Sequence, residues 1–137
     1  MPKLTQTKTG IYDKATRLKE EIAAKKLDHR RAIYEHMAEA VRITEKFYDN
    51  DSQWEQFCSD PFWIKDKRKL KAKKTNKKRL GIVVQFVFSA KSSGARKRTS
   101  KYTIALLELL RKNVSISALP YQLKKRGGVQ AICNEAA

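Results

Sequence analysis

Acidic residues are scarce in the second half of this 137-residue chain. After Trp63 only Asp66, Glu108 and Glu135 carry a carboxylate, against 20 of the chain's 31 Lys and Arg residues. The first 63 residues hold the other 11 basic side chains and 11 acidic ones, so the whole formal net charge of +17 lies downstream. This excess is larger than solubility requires. Its concentration in one half favours a protein that binds a polyanion.

Residues that hold metals or act as nucleophiles are also few. Cys58 and Cys133 lack the CxxC spacing of structural zinc sites, which indicates two buried thiols in a reducing compartment. His29 and His36 would lie about 10 Å apart along a helix, too far to share a metal. No glycine-rich phosphate loop, nucleophile motif or paired-carboxylate signature occurs. We therefore expect no enzyme, metal site, cofactor or small-molecule substrate.

Long hydrophobic runs are missing as well. The longest one, Gly81 to Phe88, is interrupted by Gln85 and is too short to span a bilayer. No apolar segment of signal-peptide length follows Met1. These absences predict an intracellular protein, cytoplasmic or associated with the nucleoid, that has no membrane partner.

The neutral half has helical periodicity. Residues 1–12 are predicted to form a flexible N-terminal arm. Asp13 is the expected N-cap of a long helix to Tyr48, which a polar stretch at 25–31 either bends or divides into two helices. The apolar stripe from Ile33 to Tyr48 is broad enough to cover the central helices or to pair with a second copy, which leaves a homodimer open.

The neutral half ends in a short helix and an aromatic group. Asn50, Asp51 and Ser52 supply a stop and a new cap. The following helix contains Trp54 and Phe57 and ends at Pro61. With Phe62 and Trp63 these aromatics favour a core cluster, although aromatics beside cations also stack on unpaired bases of RNA or single strands.

In the basic half, residues 82–88 fit either a buried strand or a buried helix, and we favour the helix because a strand would have no clear partner. Residues 89–99 are expected to form an exposed basic loop. Tyr102 to Leu110 is the predicted central helix. Ser117 is the expected cap of a helix to Arg126 that two glycines stop, and a last turn or two follows at 129–136. The predicted fold is mainly α, with the neutral helical region 13–63 and the basic helical region 64–137 packed as one domain.

Two basic stretches, Lys65 to Arg79 and Arg96 to Lys101, flank the hydrophobic element at 82–88. Lysines and arginines clustered on one surface bind a phosphate backbone through counterion release, without regard to sequence. The predicted nucleic-acid contacts are Lys65, Lys67, Arg68, Lys69, Lys71, Lys73, Lys74, Lys77, Lys78, Arg79, Arg96, Lys97, Arg98, Lys101, Gln122, Lys124, Lys125 and Arg126.

The last four of these residues come from a helix-turn-helix-like arrangement of 101–112, a short connector and 118–126. In that arrangement Gln122 would read a base edge and the cations would contact phosphate. An ordinary helical hairpin that closes the core fits the same residues equally well. The expected partner is nucleic acid, with duplex DNA favoured over RNA. The alternative is a protein-interaction module that docks its cationic half on an acidic partner.

Overall fold

The computed structural model describes residues 10–25, 30–48, 50–63 and 76–136, of which 24–25, 30–31 and 76–78 are described as backbone only. This part of the chain is helical and contains no strand, so the predicted mainly α fold is confirmed. Its seven α-helices are α1 Ile11–Lys25, α2 Arg30–Phe47, α3 Asp51–Cys58, α4 Asn76–Val87, α5 Ser93–Arg111, α6 Leu119–Lys125 and α7 Val129–Ala136. Short 3-10 turns lie at Pro61–Trp63 and Ile116–Ala118.

The first helix begins two residues before the predicted start, so the assignment of 11–12 to a flexible arm is wrong. Gly10, not Asp13, precedes α1: its carbonyl accepts from the Lys14 N–H at 3.1 Å. The Gln53 side chain from α3 accepts from the Tyr12 N–H at 3.1 Å. A Cβ on Gly10 would lie 2.5 Å from that Gln53 oxygen, so the glycine makes room for a cap supplied by another helix. Residues 1–9 lie outside the described residues.

Residues 82–87 form the second half of α4, as expected for a helix and not for a strand, and Phe88 follows the helix in a turn. Val83, Val84 and Val87 are fully buried in α4, and Phe86 is nearly so. The α4 helix packs against α2 on one side, α5 on another, and α1. Because these neighbours cover α4 on several sides, apolar residues are needed around most of the helix. The sequence at 82–88 is therefore almost continuously apolar and shows no clear helical periodicity.

The predicted exposed loop at 89–99 is wrong from Ser93 onward, because α5 begins there. The Ser92 hydroxyl accepts from the Ala95 N–H at 3.1 Å and so caps the helix. A run of Ser and Gly therefore marks a helix start here and not a loop. The helix predicted at 102–110 is confirmed as part of α5, in which Ile104 is 43% exposed.

Two helices end in left-handed residues. Asn113, after α5, has φ +65°, and the Val114 N–H donates back to the Leu109 carbonyl at 3.1 Å. After α6 the glycines 127 and 128 have φ +93° and +99°, so the predicted stop there is confirmed. The predicted cap by Ser117 is wrong, because Ser117 lies inside the 3-10 turn and α6 has no side-chain cap.

The aromatic group forms the centre of the core, as expected. Phe57 is fully buried and its ring lies 4.8 Å from that of Phe86 and 5.2 Å from that of Phe47. Trp54 and Trp63 pack around it and are 5% and 1% exposed. The stripe of α2 is used in the same core, where Met37, Val41 and Phe47 are buried. The apolar stripe of α2 therefore covers the central helices of its own chain, which is one of the two roles predicted for it.

Candidate nucleic-acid interface

The N-terminal half of α5 carries the densest group of exposed cations in the described part of the chain. Arg96, Lys97, Arg98 and Lys101 are all exposed, whereas Thr99 between them faces the core. Lys97 and Lys101 are one turn apart and so share a face, separated by about 6 Å along the axis. We call these four residues the α5 basic surface.

The one carboxylate of α5, Glu108, lies at the other end of the helix. The Glu108 carboxylate accepts from Arg111 at 2.8 Å and from Lys112 at 3.2 Å. These hydrogen bonds, that from Arg111 first, hold the pKa of Glu108 below its usual range. Glu135 on α7 pairs with Lys112 at 3.4 Å and Arg126 at 3.6 Å. Within the described residues, Lys97, Arg98 and Lys101 form no ion pair.

The short helix α6 adds a second group of polar side chains. Tyr121, Lys124 and Lys125 are exposed, and the Lys125 ammonium lies 5.7 Å from the centre of the Tyr121 ring. Gln122 and Arg126 are bonded to each other, since the Arg126 Nε donates to the Gln122 Oε1 at 2.9 Å. This bond engages the amide oxygen that was expected to read a base edge.

The packing of α6 differs from that of a helical hairpin made with α5. The 3-10 turn Ile116–Ala118 leads the chain away from α5, and α6 packs mainly against α2 through the buried Leu119 and Leu123. The α5–α6 segment therefore has the predicted helix order, but its second helix belongs chiefly to the α2 side of the core.

Arg79 was predicted to contact phosphate, and its placement contradicts that prediction. It is only 4% exposed, and its guanidinium donates to the Phe47 carbonyl at 2.8 Å and contacts the Asp51 carboxylate at 3.4 Å. The same group lies 4.7 Å from the centre of the Trp54 ring. Arg79 thus fixes the C-terminal end of α2 to α3 and α4, and is not available at the surface.

The rest of the first basic stretch is largely not described. Outside the described residues lie Lys65, Lys67, Arg68, Lys69, Lys71, Lys73 and Lys74, and Lys77 and Lys78 are described as backbone only.

The aromatics before this stretch offer no surface for base stacking. Trp54 and Trp63 are buried, and the half-buried Phe62 ring has Lys19 and Lys91 ammonium groups 5.3 and 4.9 Å from its centre.

The α5 basic surface extends towards the start of α2 and the start of α7. Lys101 donates to the Gln130 side chain of α7 at 2.9 Å. Tyr102, half-buried beside Arg98, has its pKa raised mainly by burial; the nearby Tyr34 of α2 raises it further and Arg98 opposes the shift. Arg98 and Tyr34 are therefore both near Tyr102.

None of the helices in the described part of the chain combines the length and the apolar character that crossing a membrane requires. No three His, Cys, Asp or Glu side chains of the described residues are grouped so that they could hold a metal ion. Comparison with known proteins found no matching family model, no matching curated protein and no matching solved structure.

Proposed function

We propose that this chain is a non-enzymatic nucleic-acid-binding protein that holds the phosphate backbone, with duplex DNA the favoured ligand, through its basic C-terminal half. The observation that carries the proposal is the α5 basic surface: four exposed cations in six residues, whereas the one carboxylate of α5, Glu108, is paired at the opposite end of the helix. Lys124 and Lys125 on α6 supply further exposed charge.

The arrangement has a cost for the isolated protein. Lys97 and Lys101 are like charges at i and i+4, and Arg98 and Lys101 are like charges at i and i+3. Such pairs destabilise a helix by about 0.2 to 0.5 kcal/mol each. No acidic residue lies in the first turn of α5 to offset them. A phosphate backbone would remove this repulsion and would release its own condensed counterions.

The competing proposal is a cationic module that docks on an acidic protein. Its support is the same surface, but a protein partner offers carboxylates at one fixed site. It would therefore bind with a defined stoichiometry and would leave random DNA bound weakly at physiological salt. The salt dependence of DNA binding separates the two proposals.

The test is fluorescence anisotropy of a labelled duplex across a salt series. The variant Lys97→Gln, Arg98→Gln, Lys101→Gln removes three charges from the α5 basic surface. The matched control, Lys14→Gln, Arg42→Gln, Lys46→Gln, removes three charges from the α1–α2 side. Each phosphate contact adds about 1 to the slope of log K against log salt. We expect the α5 variant to lower that slope by about 3 and the control to leave it unchanged.

Equal slopes for both variants would show that the charge acts without regard to position and would remove α5 from the interface. Failure of the wild type to bind duplex DNA, single-stranded DNA or RNA at physiological salt would overturn the nucleic-acid proposal. A single acidic protein bound at defined stoichiometry would then support the alternative.

A further inference from the structure

A groove of about 780 Å³ lies between α2 and α6, next to the exposed cations of α6. Its volume is within the range of roughly 300 to 1,000 Å³ that is typical of small-ligand sites. Tyr34, Pro120, Tyr121 and Lys124 are among the residues that line it, together with the glycine pair after α6. Tyr121 is 62% exposed and so presents an aromatic ring at this opening.

The Tyr34 hydroxyl is an independent sign of a ligand in this groove. Tyr34 is only 8% exposed, yet among the described residues its hydroxyl has no hydrogen-bond partner. The fully buried side-chain atoms without a partner among the described residues are Trp63 Nε1 and Arg79 Nε, so the Tyr34 hydroxyl oxygen is accessible from the groove and can hydrogen-bond a ligand there. A Cβ on Gly128 would lie 3.2 Å from this hydroxyl oxygen. The glycine, held at φ +99°, therefore leaves the hydroxyl uncrowded where it borders the groove.

We propose that this groove binds an unpaired nucleobase: the base stacks on Tyr121, its edge meets the Tyr34 hydroxyl, and the adjoining phosphates lie against Lys124 and Lys125. This inference rests on the proposed function and names the part of the nucleic acid that enters the groove. The ligand is a bulged, flipped or terminal nucleotide within a strand that the basic surfaces hold.

The chemistry of the groove favours a base over a phosphate as its occupant. The Glu35 carboxylate lines the same groove and would repel a phosphate. A carboxylate does accept from the exocyclic amino groups of bases. Lys124 lines the groove as well, and both Lys124 and Lys125 are exposed, so the charged backbone can meet them beside the bound base. Stacking on an exposed aromatic flanked by cations is a common way of holding an unpaired base.

The chain contains a matched control for Tyr121. Tyr48, at the end of α2, is 56% exposed and does not line the groove. The probes are a duplex with one bulged 2-aminopurine, the same duplex with that base paired, and the same duplex with an abasic bulge. Affinity and 2-aminopurine fluorescence are measured for the wild type, Tyr121→Ala, Tyr121→Phe, Tyr34→Phe and Tyr48→Ala.

We expect the wild type to bind the bulged base more tightly than the paired or abasic duplex and to quench its fluorescence. Stacking is worth about 1 to 3 kcal/mol per base, so Tyr121→Ala should weaken binding of the bulged duplex about 5- to 150-fold. Tyr121→Phe and Tyr48→Ala should bind like the wild type. Tyr34→Phe should weaken binding about 2- to 12-fold, and only where a base is present in the bulge.

Equal affinity of the wild type for all three duplexes, or equal losses in Tyr121→Ala and Tyr48→Ala, would overturn the base site. The same outcomes with an intact salt slope would leave the proposed function standing. Absence of any nucleic-acid binding would overturn both. Because Tyr121 and Tyr48 are exposed, circular dichroism of these variants should match the wild type, which separates lost binding from lost folding.

Discussion

Replacing Arg79 by methionine tests whether a cation in a basic stretch serves the fold or the ligand. Methionine retains most of the aliphatic volume but loses the charged hydrogen bond to the Phe47 carbonyl, 2.8 Å long, and the contact with the Trp54 ring. A hydrogen bond to a charged group contributes about 1.5 to 3 kcal/mol, and a cation–π contact about 0.5 to 2 kcal/mol.

Two features reduce the loss of stability expected for Arg79→Met. The Phe47 carbonyl also accepts from the Asn50 N–H at 3.1 Å, so it keeps a partner in the variant. The Arg79 Nε is buried without a partner among the described residues, and its removal relieves a desolvation cost. We therefore expect Arg79→Met to lower the free energy of unfolding by about 2 to 4 kcal/mol. For a chain of this size that corresponds to a fall in Tm of about 6 to 16 °C.

The assay compares thermal unfolding, followed by circular dichroism, with the salt slope of duplex binding measured below the Tm of each variant. Arg98→Met on the α5 basic surface is the matched control. It should change stability by less than about 0.5 kcal/mol, as is usual for surface positions, and should lower the salt slope by about 1. If Arg79→Met instead remained as stable as the wild type and lowered the salt slope, the burial argument for Arg79 would be refuted.

Two further predictions concern a strained residue and a buried hydroxyl. Ser89 is exposed and has the left-handed backbone angle φ +52°. Because glycine adopts this conformation without strain, Ser89→Gly should raise the free energy of unfolding, measured by denaturant titration, by about 0.5 to 1 kcal/mol. A loss of stability would contradict the left-handed conformation of Ser89. Tyr12 donates to the Asp60 carboxylate, and burial followed by this hydrogen bond raises the pKa of Tyr12 to about 12. Because its folded pKa is above its unfolded pKa of about 10, its contribution is full below pH 10 and is lost as the pH rises through 12. The stability difference between wild type and Tyr12→Phe should therefore shrink between about pH 10 and 12, and a constant difference would exclude this titration.

Local signals in the sequence were sufficient for much of the fold. The cap at Asn50, whose side chain accepts from the Gln53 N–H at 3.3 Å, and the glycine stop after α6 depend on a few adjacent residues. The helical assignment of 82–88 depended on the absence of a partner strand. The start of α5 was missed because a serine followed by Ser-Gly favours both a loop and a helix cap, and only the bond to Ala95 separates these.

The placement of Arg79 had a signal in the sequence that charge counting concealed. Once 82–88 is assigned to a helix and the helix is extended backwards, Arg79 lies on the same face as Val83 and Phe86, at i+4 and i+7. That face is the buried one. Tyr34 and Tyr121, in contrast, meet at one groove only because α6 packs against α2. No spacing in the sequence predicts a contact between residues so far apart.

Most of the described basic residues of the C-terminal half fall into two groups. Arg79, Arg111, Lys112 and Arg126 are held by protein acceptors: Arg111 pairs with Glu108 in its own helix, and the other three bind acceptors on other helices. Lys97, Arg98, Lys101, Lys124 and Lys125 form no ion pair among the described residues and lie on exposed surfaces. The two described carboxylates of this half, Glu108 and Glu135, pair with the first group. A net charge of +17 is therefore a poor guide to the proposed interface, because the proposed binding would depend on where exposed cations lack carboxylate partners and not on how many cations there are.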